Sequence, residues 1–278
     1  MANAPGENFP VALKVLPARY RRHLTNLYFF ARLTDDLGDE ARDTSATAED
    51  QTKLRLRLLD ELAADVDVIY AGGRPSSPVM QAMATTVEQC GVPAAPLHAL
   101  IQANRQDQQV TRYATYADLA QYCELSANPV GQIVLYIFGV ATAERIVASD
   151  SICTALQLAE HWQDVAEDLG NGRIYLPTED LNRFGCTEAD LAEPTAGPAV
   201  HNLMVFEVNR ASALLDEGAP LVGTLHGAAR LAVAGYLAGG RAALAAIRAQ
   251  HYDVLRGTPR PRKQRLAGEL ARAYVRGR

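Results

Sequence analysis

Apolar residues recur at helical spacing along almost the whole chain, and no β-branched run alternates at a period of two for long. That pattern restricts the chain to an all-α fold. Aromatic residues are only 6% and alanine is abundant, which suits closely packed helices better than a β-sandwich. A short first helix is expected between Pro10 and Pro17, and the pattern predicts further helices over 22–40, 51–70, 79–89, 96–109, 116–125, 129–141, 150–169, 201–215 and 221–252. In the 51–70 segment Leu54, Leu58, Leu59 and Leu62 share one side, and Gly72 and Gly73 end it. Residues 170–194 are the one long stretch predicted to be irregular. Without repeats or a low-complexity linker, a single domain over 1–278 is expected.

The formal net charge of −5 offers no general attraction to nucleic acid, so no nucleic-acid partner is expected. Cys90, Cys123, Cys153 and Cys186 are widely spaced, with neither a zinc nor a disulfide pattern, which points to the cytoplasm. The first ten residues contain no basic-then-apolar run of a signal peptide. The longest apolar stretch, 130–143, includes Gln132 and falls short of the ~20 residues that span a bilayer. The basic tail 256–278 reads as a solvated end, with docking on the inner face of an anionic membrane as the alternative. The glycines of 221–252 (Gly227, Gly235, Gly239, Gly240) allow either tight helix packing or a slot for a long apolar chain.

Two clusters of carboxylates carry the chemistry. On a helix Asp35 and Asp39 lie one turn apart, with Asp36 and Glu40 as a neighbouring pair. Like charges at that spacing repel, and acidic groups closing a helix oppose its dipole. A second stripe places Glu160, Asp164 and Asp168 on one face, with Glu167 beside the last. Either stripe alone suits a solvated helix flank. Two on separate helices suit a pair of hard-oxygen sites facing each other, able to clamp a diphosphate through bridging Mg²⁺. This also explains how an acidic chain could take an anionic substrate.

Tyr28-Phe29-Phe30-Ala31-Arg32-Leu33-Thr34-Asp35-Asp36-Leu37-Gly38-Asp39, Tyr122-Cys123 with Val130-Gly131, and Leu156-Gln157-Leu158 leading to Asp164-Val165-Ala166-Glu167-Asp168 resemble the squalene and phytoene synthases. Gly172-Arg173-Ile174-Tyr175-Leu176-Pro177 matches as well, and the resemblance thins after about Pro194. It implies the helical isoprenoid synthase fold with a central apolar cavity and an isoprenoid diphosphate as substrate. It also implies Mg²⁺ at Asp35, Asp39, Asp164 and Asp168, with Asp36 and Glu167 as further ligand candidates. Tyr28, Arg32 and Arg173 are implied near the diphosphate, and Ala127, Val130, Gly131, Gln157, Asp107 and Tyr175 at the substrate.

The departures bear on the substrate. Ser126-Ala127-Asn128-Pro129-Val130-Gly131, Glu160-His161-Trp162-Gln163 and the opening Glu7-Asn8-Phe9-Pro10-Val11-Ala12 are similar to bacterial hydroxysqualene synthases of hopanoid pathways. Those act on presqualene diphosphate. Relatives that condense two prenyl diphosphates usually carry Asn with Arg in the helix of the second stripe; the absence of that Arg and the presence of Glu160 fit a substrate with one diphosphate. Water capture of the cation would draw on Tyr122, Asn128 or Glu160; Asn128 or Ser126 could equally cap a helix begun by Pro129. No reduced nicotinamide is expected, and neighbouring pathway enzymes are expected as partners. Condensation of two prenyl diphosphates, or a non-catalytic helical partner role, are the alternatives. Trp162 reads as core, and His161, His201 and His226 lack metal-ligand spacing.

Overall fold

The computed structural model describes residues 16–40 and 47–276; most of the segment between Pro10 and Pro17 and the Glu7–Ala12 variants lie outside them. The described residues are helical, with one isolated parallel bridge between Arg112 and Ile174 and no extended sheet. In chain order the helices are α1 (Ala18–Asp35), a π-helix (Asp36–Glu40), α2 (Ala48–Tyr70), α3 (Pro78–Cys90), α4 (Ala94–Gln106), α5 (Tyr116–Ser126) and α6 (Asn128–Ile137). They continue with α7 (Ala143–Gln163), α8 (Val165–Gly170), α9 (Thr178–Phe184), α10 (Glu188–Leu191), α11 (Pro198–Gly218), α12 (Leu221–Thr224), α13 (Gly227–Ala249) and α14 (Lys263–Arg276).

Helix α7 is central, contacting α5, α6, α11 and α13. Its buried face, with Ile152, Ala155, Leu158, Ala159 and Trp162, explains the position. Small residues set the spacing. A Cβ on Gly131 of α6 would collide with Cys153 Sγ and Ser149 Oγ of α7. A Cβ on Gly240 of α13 would stand 2.9 Å from Leu156 Cδ2. Gly131 of α6 and Gly240 of α13 are therefore packing devices.

Several predicted boundaries move. The 150–169 helix starts earlier, at Ala143, where Thr142 accepts a hydrogen bond from Arg145 N as N-cap, and it breaks at Asp164. The 170–194 stretch contains α9 and α10, too short for a periodic pattern. Each has a local signal: α9 ends at Gly185 with φ 66°, and α10 starts in a Thr187–Asp190 capping box. The 221–252 segment splits after Thr224, and α14 lies in what reads from sequence only as a basic tail. No helix among the described residues is long and apolar enough to cross a membrane.

Candidate active site

Both carboxylate stripes sit at helix irregularities. The first spans the change from α-helix to π-helix at Asp35–Asp36, a geometry often found at functional sites. Asn104, in the last turn of α4, and Gln108, just beyond that helix, hold this turn. Asn104 Nδ2 donates to Asp35 Oδ1 at 3.2 Å, and Gln108 Nε2 donates to the Gly38 carbonyl at 2.9 Å. A Cβ on Gly38 would collide with Asn104 Oδ1, so only glycine lets the two segments approach this closely. The second stripe crosses the break at Asp164 (φ −106°, ψ 17°), after which α8 carries Asp168 onward.

The two stripes face one cleft of about 320 Å³, lined by Asp35, Asp164, Asp168 and Glu160. Asp107, Tyr122, Gln157, His161 and Tyr175 complete its polar wall, with Leu100, Ala103, Asn104 and Ser126 beside them. The wall is assembled by the crossing of two chain segments: Ile174 N donates to the Thr111 carbonyl at 3.0 Å and Thr178 N to the Tyr113 carbonyl at 2.9 Å. That crossing brings Arg173 to the Asp107 backbone, where its Nη2 donates to the carbonyl at 3.3 Å. Tyr122 Oη donates to Asp107 Oδ2 at 2.9 Å. His161 stacks on Tyr175 with centroids 3.6 Å apart and planes at 12°, and Gln157 Nε2 lies 3.2 Å from His161 Nε2.

Burial and the neighbouring charge of Asp164 push the Asp168 carboxyl up to about 7, with Glu167 and Glu160 adding and Arg173 opposing. Burial holds the His161 ring down at about 3, helped by Arg173, so the ring is neutral. Burial likewise keeps the Tyr122 hydroxyl protonated, and Asp107 reinforces it. The cleft thus gathers carboxylates without enough basic groups to neutralise them. Among the described residues no three His, Cys, Asp or Glu side chains stand close enough to hold a metal ion by themselves. The oxygen donors nevertheless fit Mg²⁺, which keeps waters and takes one or two carboxylates together with substrate phosphates.

The residues singled out from sequence divide clearly. Asp35, Asp107, Tyr122, Gln157, Glu160, Asp164, Asp168 and Tyr175 come together in the cleft, and Arg173 reaches both Asp107 and, at 3.4 Å, the Tyr175 hydroxyl. Others lie off its lining. Arg32 pairs with Asp36 at 2.8 Å, half exposed. Tyr28 sets its ring against that of Phe29, 5.6 Å away, and Glu167 is exposed. Val130 packs against the core, Ala127 is buried, and Gly131 faces Cys153 and Ser149. Asn128 is buried with its Oδ1 accepting from Thr154 Oγ1 at 2.9 Å. It is the first residue of α6, and neither it nor Ser126 supplies a side-chain cap, which corrects the capping reading. The Asp39 side chain lies outside the described residues. Sequence reasoning missed His161, although Gln157, Glu160, His161 and Asp164 share one helical face. Trp162 is core, as expected.

The squalene/phytoene synthase family matches residues 2–267. A hydroxysqualene synthase from Rhodopseudomonas palustris is 32% identical over 77% of this chain and 70% of its own length. A 15-cis-phytoene synthase from Synechocystis is 29% identical over 92% of this chain and 78% of its own length. The solved squalene synthase HpnC from Alicyclobacillus acidocaldarius is 40% identical, covers 89% of this chain with 90% of its own, and superposes with a TM-score of 0.81. Shared helical architecture and a match along nearly the whole sequence agree with the motifs that face the cleft, and the chain is an enzyme of the squalene/phytoene synthase family.

Proposed function

We propose that the protein is a hydroxysqualene synthase, converting presqualene diphosphate and water to hydroxysqualene and diphosphate. The observation that carries this reading is the composition of the cleft: carboxylates of both stripes face it together with Glu160 and the Tyr122–Asp107 pair, and Arg173 stands at its edge. Arg32, turned to Asp36, does not line it. That balance of charge suits one diphosphate better than two. Asp35, Asp164 and Asp168 would hold Mg²⁺, with Asp39 added by resemblance. Mg²⁺ bound there supplies the positive charge that stabilises the departing diphosphate.

The chain's own groups have distinct tasks in this reading. Arg173 offers its guanidinium to the leaving oxygens. The neutral His161 ring and the stacked Tyr175 present π-density rather than positive charge to a carbocation, avoiding the repulsion a protonated ring would add. Cleavage of the C–O bond leaves the electron pair on diphosphate and a cyclopropylcarbinyl cation, which rearranges. A water oxygen then bonds to the cation, and the proton it loses goes to a carboxylate. Glu160, exposed within the cleft, is placed to accept it. The product is an alcohol, so no reduced nicotinamide enters the balance.

A second reading, condensation of two prenyl diphosphates, is favoured by the longer match to the phytoene synthase relative. Diphosphate release measured with Mg²⁺ and either presqualene diphosphate or farnesyl diphosphate separates them. Release from presqualene diphosphate alone is expected, and release from farnesyl diphosphate alone would favour condensation.

A further inference from the structure

Residues 250–262 join α13 to α14 and return across the broken end of α7. The return is anchored at its start. His251 and Tyr252 turn the chain at φ 53° and 59°, and the Tyr252 ring meets His201 edge-on at 5.3 Å. Asp253 Oδ1 accepts from Ala196 N at 3.0 Å, and Val254 and Leu255 are buried. Gly257, at φ 133°, then redirects the chain in a conformation that favours glycine.

Past that glycine, two consecutive residues bind two consecutive residues of the second stripe. Thr258 Oγ1 donates to Asp164 Oδ1 at 2.8 Å. Gln163 Nε2 donates to the carbonyl of Pro259, which is itself buried. Gln163 is the last residue of α7 and Asp164 is the break itself. The strap therefore grips the helix where its own backbone pattern lapses, ninety-odd residues away in sequence. A hydroxyl bond to one carboxylate oxygen restrains the orientation of the group, the arrangement by which outer partners orient metal-binding carboxylates.

We infer that Thr258 is a positioning residue for Asp164, and that the strap running from Tyr252 to Arg262 is a working part of the cleft. The inference rests on the reading that Asp164 serves a magnesium-bound diphosphate. Thr258→Val removes the hydroxyl at nearly constant shape, Thr258→Ser keeps it, and Thr258→Ala replaces the Val variant should that fail to fold.

Two quantities test it on the full chain. The first is Mg²⁺-dependent binding of inorganic pyrophosphate by calorimetry. The second is trypsin cleavage after the exposed Arg256 in metal-free protein. Thr258→Val is expected to weaken pyrophosphate binding about 10- to 100-fold and to speed cleavage, with Thr258→Ser close to wild type in both. Wild-type affinity and cleavage in a folded Val variant would overturn the inference. A wild-type protein that binds no pyrophosphate at any Mg²⁺ concentration would contradict the diphosphate reading instead; faster cleavage of the Val variant would then still support the strap contact, and unchanged cleavage would overturn it.

Discussion

Asn104 Nδ2 donates to Asp35 Oδ1 across 3.2 Å, so the first carboxylate stripe is oriented from α4 and not only by the helix that bears it. Asn104 is buried and also bonds the Leu100 carbonyl, at 3.3 Å. Asn104→Ala removes the donor without adding bulk beside Gly38. The bond to Asp35 is only half-buried, so its loss costs about 0.5–1.5 kcal/mol, and a protein of this size loses roughly 2–4 °C in Tm per kcal/mol. The expected outcome is a fall of a few degrees in metal-free Tm with a higher Mg²⁺ requirement for diphosphate release. Unchanged values in both would mean that Asp35 is held elsewhere.

Asp168 gives a pH signature. Its folded pKa, raised to about 7 by burial and by Asp164, lies above the unfolded value. The folded state then binds more protons between the two values, so stability falls as pH rises through that window. In metal-free protein Asp168→Asn should raise Tm at pH 8 and lose most of that gain near pH 4. Mg²⁺ uptake should release a proton below pH 7, weakening as the solution becomes more acid. A Tm gain independent of pH would contradict this.

Gly131 separates packing from substrate contact. A Cβ there meets Cys153 Sγ and Ser149 Oγ, both on α7. Overpacking of this kind costs about 1–3 kcal/mol. Gly131→Ala should lower Tm, and combining it with Ser149→Ala and Cys153→Ala should recover most of the loss. A changed product spectrum without a change in Tm would return Gly131 to the substrate.

Glu160 lies in the cleft one turn before Asp164. If it accepts the proton of the capturing water, Glu160→Gln keeps diphosphate release within a few-fold while diverting product to other alcohols or to alkenes formed by proton loss. General-base contributions of about 10²- to 10⁴-fold set the expected drop in hydroxysqualene. Slower release with a raised Mg²⁺ requirement would assign Glu160 to the metal instead.

The helical fold and the two stripes are legible in the sequence because each is local: a 3.6-residue apolar period and carboxylates one turn apart. What bends the stripes is not local. The π-helix after Asp35 brings Gly38 against Asn104, and the break at Asp164 is gripped by Thr258 and Pro259. His161 shares its helical face with Gln157 and Asp164, yet its partner Tyr175 arrives only through the crossing of Arg112 with Ile174. Asn128 shows the reverse. Its sequence context suits a cap or a cation-quenching group, and its actual partner is Thr154 of the neighbouring helix.

In the proposed reaction, water from solvent captures the cation formed from presqualene diphosphate. Incubating the protein with presqualene diphosphate and Mg²⁺ in ¹⁸O-water, followed by mass spectrometry, tests it most directly. Hydroxysqualene carrying one labelled oxygen, formed without any reduced nicotinamide, is the expected product. A hydrocarbon product without oxygen, formed only when NADPH is supplied, would contradict the proposed reaction.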